Sequence, residues 1–254
     1  MGLIAIMVMI TTINSFAIGL LASAAVLAGG LANAKPVSYS DSWMFMHERD
    51  RNFIETQLNY SPTHWSSFGI ATTLMKSDTK LLQMESTFLQ ANLLVKRWNL
   101  PGAQANIFAS YGAGNTKITE AYVVTPDGPA GHAAHGFGAP IGASVEQRRY
   151  RERAERLGLQ GDFETRQIYT AVRMDLMKTE NFLDRIDTLQ AGFSPVAHDY
   201  EDTAVWFIAQ IKKYRGMHDK TESGAFVRLF KRNIWFELGV MERKKSQMML
   251  MVTY

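Results

Sequence analysis

The carboxyl-terminal segment of this chain carries an apolar stripe at every second position and stops on an aromatic residue. Met248, Leu250, Val252 and Tyr254 occupy every second position. A period of two is that of a β-strand, in which alternate side chains share one face. We expect this strand to be the last of an outer-membrane β-barrel. Leu250, Val252 and Tyr254 would then form the signal that the barrel assembly machinery recognises.

The amino-terminal segment has the features of an export signal. Residues 1–34 contain no Lys, Arg, Asp or Glu and end in Ala32-Asn33-Ala34, which fits the small-x-small pattern of signal peptidase sites. The positive side chain that usually opens such a signal is missing. We predict a cleaved signal peptide over 1–34, followed by an outer-membrane barrel over 35–254. An uncleaved membrane anchor is the alternative, because the apolar stretch approaches the roughly 20 residues that a spanning helix needs.

Composition excludes several classes of protein. The net charge of +3 is too small to imply a nucleic-acid partner. The chain has no cysteine, so it has neither a lipid-attachment site nor a disulfide framework. After residue 34 no stretch is long and apolar enough for a membrane helix. Barrel strands escape that test because only alternate residues face lipid. We expect no cofactor.

Many segments of 35–254 alternate as half-buried strands do. In 52–60, for example, Leu58 and Tyr60 share one face, whereas Glu55 and Gln57 share the other. Charged side chains interleaved with apolar ones are expected of a wall with water on one side and lipid on the other. The pattern predicts an all-β fold, an antiparallel transmembrane β-barrel of about 12 strands. The predicted strands are 42–49, 52–60, 65–75, 84–97, 103–112, 157–164, 167–177, 185–194, 202–212, 224–231, 233–241 and 246–254.

The connections between these strands alternate in character, which supports the count. Every second connection is dominated by charged and small polar residues, and the others are mostly short turns such as 61–63 and 99–102. Bacterial barrels have long outer loops and short periplasmic turns. The segment 113–156 is therefore predicted to be a long extracellular loop.

Three segments also have features of helices. Apolar residues recur at helical spacing in 86–98 and 182–189, and the arginine-rich run 147–156 has high helix propensity. These segments leave open a soluble periplasmic α/β binding protein as an alternative fold.

Several short stretches together resemble a family of small, poorly characterised exported proteins of Gram-negative bacteria. The family is thought to form outer-membrane barrels and is often encoded beside copper or other heavy-metal efflux systems. The resemblance implies a barrel and a metal-stress context, without an activity or a site to carry over. The stretches are Lys35-Pro36-Val37-Ser38-Tyr39, Leu94-Val95-Lys96-Arg97-Trp98-Asn99, Gln104-Ala105-Asn106-Ile107, Asp162-Phe163-Glu164-Thr165-Arg166 and Val227-Arg228-Leu229-Phe230.

Five charged residues are predicted to face the barrel lumen, since they lie opposite the apolar stripe of their strands. Buried charges must pair with one another or meet water. They would therefore either form a stabilising network in a filled barrel or line a conduit for a small solute or ion. These residues are Glu55, Lys96, Arg173, Asp175 and Glu237.

Metal-ligating residues are sparse. His132 and His135 form the one histidine pair with ligand-like spacing, but they lie in a stretch rich in Gly, Ala and Pro, without an apparent third ligand. Met-x-x-Met spacing occurs at Met174/Met177 and at Met248/Met251. On a strand, residues three apart point to opposite faces, so neither pair is expected to chelate one ion.

The sequence predicts a non-enzymatic protein of the Gram-negative outer membrane with a structural or narrow transport role, in metal-stress physiology. An outer-membrane lipid-modifying enzyme is the alternative, which a Ser/His pair on the outer wall would favour. Expected partners are membrane lipid and lipopolysaccharide, the assembly machinery, and a small solute or metal ion. The candidates for aromatic girdles at the membrane interfaces are Trp43, Trp65, Trp98, Trp206 and Trp235.

Overall fold

Twelve antiparallel strands make up most of the chain that the computed structural model describes, namely residues 35–79, 81–125, 128–129, 144–197, 202–217, 219–242 and 245–254. The predicted signal peptide lies outside these residues. No helix in the described ranges is long and apolar enough to cross a membrane. The strands are β1 (Ser42–Arg49), β2 (Phe53–Thr63), β3 (Ser66–Lys76), β4 (Leu82–Leu100), β5 (Ala103–Thr125), β6 (Ser144–Thr165), β7 (Ile168–Lys178), β8 (Leu183–Phe193), β9 (Ala204–Arg215), β10 (Lys220–Lys231), β11 (Ile234–Met241) and β12 (Lys245–Thr253).

The strands form one closed sheet. Each strand pairs with its neighbours in chain order, and β1 pairs with β12 to close the ring. Beyond the last ladder pair, Trp43 N donates to Tyr254 O at 2.7 Å and Tyr254 N donates to Trp43 O at 2.9 Å. Closure leaves neither β1 nor β12 with a free edge. The predicted 12-strand antiparallel barrel is confirmed.

Side chains alternate between the lumen and the outer surface as the sequence pattern predicts. On β2, Glu55, Gln57 and Asn59 are buried inside, whereas Leu58 points outward and is 42% exposed. Large apolar side chains are exposed on the outer surface of most strands. An outer surface this apolar is stable in lipid and not in water. The most exposed of them include Ile70, Leu89, Leu93, Val172, Phe193, Leu238 and Val240.

Aromatic side chains gather on the outer surface near the end of the barrel that carries both termini. Trp43, Trp65 and Trp98 are each more than 40% exposed there, as expected of an interfacial girdle. The structure corrects the other two tryptophan assignments. Trp206 and Trp235 are 1% and 0% exposed, because both stand at inward positions of their strands.

The two ends of the barrel differ. Both described termini lie at one end, here called the terminal end, together with the short turns 64–65, 101–102, 166–167 and 232–233. The other end, here called the loop end, carries the connections that follow β1, β3, β5 and the later odd strands. Short turns are typical of the periplasmic side of a bacterial barrel, so we expect the loop end to face outward.

The long loop predicted over 113–156 is largely strand. β5 and β6 pair without interruption from Ala103–Thr165 to Val124–Ser144, so the hairpin extends well past its neighbours. Residues such as Thr116 and Ile118 suit a strand, and Arg148 stands directly opposite Glu120. Cross-strand pairing therefore overrides the helix propensity of the arginine run. The other helix-like segments, 86–98 and 182–189, also fall almost entirely within strands, β4 and β8.

Closure at the β1–β12 seam is directly testable because the chain has no cysteine of its own. Phe45 and Val252 are directly opposed and point outward. Opposed residues of antiparallel strands have Cα atoms roughly 4.5–5.5 Å apart, within disulfide range. We expect the Phe45→Cys/Val252→Cys variant to cross-link on mild oxidation, with a mobility shift after boiling in SDS. The control is Phe45→Cys/Val205→Cys, whose second site lies on β9. Equal cross-linking of both variants, or of neither, would contradict the closed seam.

Candidate functional site in the barrel lumen

Four charged side chains from three strands form a cluster inside the barrel. Arg156 on β6 donates through Nη2 to Glu55 Oε2 at 3.3 Å and to Asp175 Oδ1 at 3.0 Å. Arg173 Nε lies 2.6 Å from Asp175 Oδ2, and its Nη2 lies 3.9 Å from Glu55 Oε2. Three strands separate β2 from β6, so the Arg156 guanidinium reaches across the lumen. The Glu55 side chain is 1% exposed, and a carboxylate buried so deeply requires these cationic partners.

A second ion pair crosses another part of the lumen. Lys212 on β9 lies with its Nζ 2.8 Å from Glu48 Oε1 on β1. Gln247 on β12 donates to the same Glu48 oxygen at 2.9 Å and accepts from Gln210 at 3.3 Å. Three strands also separate β9 from β1 around the ring. The two cross-lumen ion pairs therefore tie opposite stretches of wall together.

A third ion pair lies along the wall, between adjacent strands. Arg228 Nε lies 2.7 Å from Glu237 Oε2, and both side chains are at most 3% exposed. The guanidinium carbon of Arg228 lies 4.5 Å from the centre of the Tyr169 ring and 4.2 Å from that of Trp235. Arg228 also donates to Gln190 Oε1 at 3.2 Å. Cation–π contacts and hydrogen bonds thus replace part of the hydration that this buried guanidinium has lost, while its Nη1 has no hydrogen-bond partner among the residues that the structure describes.

The residues that precede β1 enter the mouth of the barrel at the terminal end. Lys35 Nζ lies 2.7 Å from Glu164 Oε1, whose side chain is fully buried. Val37 is 3% exposed and packs on Leu94 and Phe108. One ion pair and one apolar contact thus hold this segment inside the mouth and narrow the terminal end.

Charged residues also cluster at the loop end. Lys220 Nζ lies 2.9 Å from Asp78 Oδ2 and 3.1 Å from Glu222 Oε1, and Lys245 Nζ lies 2.6 Å from Glu222 Oε1. In the adjacent turn, burial raises the pKa of Asp50 above its ordinary value. The ion pairs connect the β3–β4 connection to β10, and β10 to β12, at the outer opening.

One internal cavity of about 150 Å³ remains between these contacts. Its lining includes Lys35 and Pro36 at the terminal end, and Phe53 and Tyr214 near the loop end. Residues from every strand contribute to it. The volume accommodates several water molecules.

Methionine side chains form part of this lining. Met44, Met46, Met249 and Met251 are each 2–8% exposed and pack together with Trp235. Met46 on β1 stands directly opposite Met251 on β12. Four thioethers therefore share one patch of the inner wall, although no two of them have the Met-x-x-Met spacing considered from the sequence.

Four of the five residues predicted to face the lumen do so, three of them in one cluster, and the fifth lies on the outer surface. Glu55, Arg173 and Asp175 share the Arg156 cluster, and Glu237 pairs with Arg228.

Lys96 is exposed on the outer surface, with its Nζ 5.9 Å from the centre of the Trp98 ring. The register between β4 and β5 shifts between Leu94 and Lys96, so this bulge reverses the alternation. Arg97 takes the inward position and donates to Asn106 Oδ1 at 2.8 Å.

The two candidate metal ligands, His132 and His135, lie outside the described residues. Within the described ranges, no group of three His, Cys, Asp or Glu side chains is placed to hold a metal ion.

One imidazole–hydroxyl pair lies on the outer wall, where a lipid-modifying enzyme would need it. His47 Nδ1 and Thr56 Oγ1 are 2.9 Å apart on adjacent strands. The residue opposite His47 on the other side is Leu250. In the part of the chain described, no carboxylate or amide orients the second ring nitrogen. The pair therefore lacks the third group that activates a nucleophile.

Sequence reasoning misses Arg156, Lys212 and Arg228, which provide the cations of the three lumen ion pairs. Each of the three lies an even number of residues along its strand from another buried side chain, so the period of two alone predicts that it points inward. Arg156 is obscured by the arginine run that precedes it. No pattern along one strand indicates which carboxylate a cation will meet.

The Arg228–Glu237 pair gives a stability prediction. Arg228→Met leaves the Glu237 carboxylate buried without its cation, which costs about 3–5 kcal/mol in comparable sites. The double variant Arg228→Met/Glu237→Gln removes both charges, so we expect a clearly smaller loss. The measurement is urea unfolding in detergent micelles, read from the heat-modifiable band. Equal losses in the two variants would show that the pair is not coupled as described.

No protein-family model matches the chain, and a search of curated proteins finds no match. Among solved structures, the chain is similar to a KdgM porin in complex with disordered oligogalacturonate, with 11% identity, a TM-score of 0.40, and coverage of 84% of this chain and 98% of that one.

Two further solved structures are similar at the same low level. The β domain of the Bordetella autotransporter BrkA has 9% identity and a TM-score of 0.39, covering 85% of this chain and 99% of that one. A loop-deletion mutant of OmpT, an outer-membrane protein of Vibrio cholerae, has 7% identity and a TM-score of 0.29. The match covers 84% of this chain and 96% of that one.

The cellular location rests on the barrel's own surface. A closed antiparallel barrel with an apolar outer wall, an aromatic girdle and a polar, charged interior is the form in which strands span a bacterial outer membrane. The chain is an outer-membrane β-barrel of the Gram-negative type.

Proposed function

We propose that this barrel is a narrow, non-enzymatic passage for small polar solutes or ions, held nearly closed by ion pairs that cross its lumen. The observation that carries the proposal is a cavity that has lining residues at both ends of the barrel. The side chains that interrupt it, Arg156 and Lys212, are long and flexible.

The dimensions favour a small, hydrated solute. About 150 Å³ of free space holds a few water molecules, so a permeant molecule displaces most of them or moves one of the crossing side chains. Twelve-stranded barrels lie between filled eight-stranded barrels and the open pores of sixteen strands. We therefore expect a conductance well below that of a general porin.

The charge of the lining predicts weak selectivity for the sign of an ion. Among the described lining residues, five basic side chains face five acidic ones. Rings of one charge sign give strong selectivity, and this lining has no such excess. The lining residues with charge are Lys35, Arg156, Arg173, Lys212, Arg228, Glu48, Glu55, Asp175, Asp184 and Glu237.

Removing an ion pair that crosses the lumen tests whether the barrel conducts small solutes or ions. In planar bilayers, Glu55→Gln/Arg156→Gln removes one crossing ion pair without leaving an unpaired partner, since Arg173 keeps Asp175. We expect its single-channel conductance to rise at least twofold over the wild type. The matched control is Arg185→Gln/Asp187→Asn, an ion pair of 2.8 Å on the outer surface, which should conduct as the wild type does. If neither the wild type nor the lumen variant conducted ions, the barrel would have a structural role instead.

A soft monovalent metal ion is the more specific candidate solute within this proposal. The four-methionine patch offers thioethers, which prefer Cu(I) and similar ions, and the resemblance to proteins encoded beside metal efflux systems points in the same direction. Across two strands, Met46 and Met251 stand close enough to share an ion, which residues along one strand do not.

Silver ion is the probe for this candidate. We expect Ag(I) to bind the refolded barrel and to reduce the conductance, and Met46→Leu/Met251→Leu to abolish both effects. The control Met75→Leu/Met177→Leu keeps the four-methionine patch intact and changes two other lining methionines. Equal silver binding by the two variants and the wild type would remove the metal candidate but leave the passage itself unaffected.

A further inference from the structure

The outward face of the extended β5–β6 hairpin carries a concentrated basic surface. Arg149, Arg151 and Arg153 occupy alternate positions of β6 whose intervening neighbours, such as Glu152, turn inward. Lys117 stands directly opposite Arg151 on β5. We define Lys117, Arg149, Arg151 and Arg153 as the basic rim patch.

The patch stands immediately above the lipid-facing wall. Going up β6 from the terminal end, Leu157 is the last apolar outward residue among the side chains that the structure describes; it is 40% exposed and is opposed by Tyr111 on β5. A spanning strand takes about 9–11 residues, which from the turn at 166–167 also ends near Leu157. Arg153 lies four residues further, about 10 Å higher for a strand tilted by about 40°. The patch is therefore at the level of the lipid headgroups on the outer side.

The charges of the patch are only partly compensated. Glu155, an exposed carboxylate two residues from Arg153 on the same face, accepts from the Tyr111 hydroxyl at 3.4 Å. Within the described residues, no carboxylate lies within ion-pair distance of Arg151 or Arg153, and both side chains are exposed. Arg149 bonds only the neutral Gln147, at 2.9 Å. Lys117 has one distant partner, Glu85 at 3.6 Å, and this pair is exposed on both sides. Elsewhere on the outer rim, by contrast, Asp187 lies between its neighbouring arginines.

The inner face of the hairpin holds the patch in place. Tyr150 donates to Glu120 Oε1 at 2.7 Å across the two strands. Ile118 is fully buried, and the Asn181 backbone N–H donates to Glu152 Oε2 at 3.2 Å. These contacts fix the hairpin from the lumen side. The arginines of β6 therefore already point outward, and the hairpin needs no further ordering to expose them.

We propose that the basic rim patch binds the phosphate groups of lipopolysaccharide in the outer leaflet. Guanidinium groups bind phosphate through paired, charge-assisted hydrogen bonds, and lipopolysaccharide places phosphates at the boundary of its acyl chains. The patch continues the lipid-facing wall, where a glycolipid packs its chains on Leu157 and Tyr111 and meets the arginines with its headgroup. The proposal rests on the barrel's place in the membrane and not on conduction through its lumen.

The test uses the full chain refolded in detergent and measures binding of lipopolysaccharide by native mass spectrometry. We expect the wild-type protein to retain phosphorylated lipopolysaccharide. Its affinity for lipopolysaccharide without the lipid A phosphates should be at least tenfold lower. Arg149→Gln/Arg151→Gln/Arg153→Gln should lose at least tenfold in affinity. The matched control is Arg185→Gln/Lys213→Gln/Arg215→Gln, three outward cations around Asp187, which should bind as the wild type does.

Each alternative outcome overturns the proposal. Wild-type affinity in the β6 triple variant would exclude the patch, and equal loss in the control variant would show a diffuse charge effect. Equal competition by phosphatidylglycerol vesicles would indicate a general anionic surface, and equal competition by inorganic phosphate a free-anion site. A heat-modifiable band for every variant shows that the barrel has folded, so loss of binding is not loss of structure.

Discussion

Closure of the sheet between β1 and β12 is the constraint on which the rest of the structure depends. In lipid, each backbone N–H and C=O group must find its partner within the protein, and a sheet with two free edges leaves rows of them unpaired. The ladder from Met44–Thr253 to Arg49–Met248 removes both edges. Once the ring is closed, alternate side chains must face either hydrocarbon or a confined interior.

The confined interior explains both the ion pairs and the cavity. Inward polar residues at many strand positions meet one another across a bore of twelve strands, and the longest of them, Arg156 and Lys212, reach carboxylates on distant strands. Losing one partner of such a contact would destabilise the barrel, because an unpaired charge in this setting is costly. They also occupy the path that a solute would take, so the same side chains hold the wall together and restrict passage.

The outer surface combines two environments along the same strands. On β6 the change from Leu157 to Arg153 within four residues marks the edge of the hydrocarbon layer. The hairpin could have ended there, yet its strands continue in register to Ser144. The continuation places guanidinium groups where the leaflet carries phosphate, and it folds the opposite face of the hairpin against the loop end.

The sequence by itself determined the class of fold, the strand count and the side of the wall on which most residues stand, because the period of two is a local property of each strand. Glu55 and Glu237 could be assigned to the lumen in this way. Only the tertiary structure decided which charges meet, since Arg156 and Glu55 are brought together by ring closure over three intervening strands. It also decided the outward position of Lys96, which depends on a bulge in the β4–β5 pairing, and the length of the β5–β6 hairpin. There, pairing between strands outweighed the helix propensity that the arginine run shows alone.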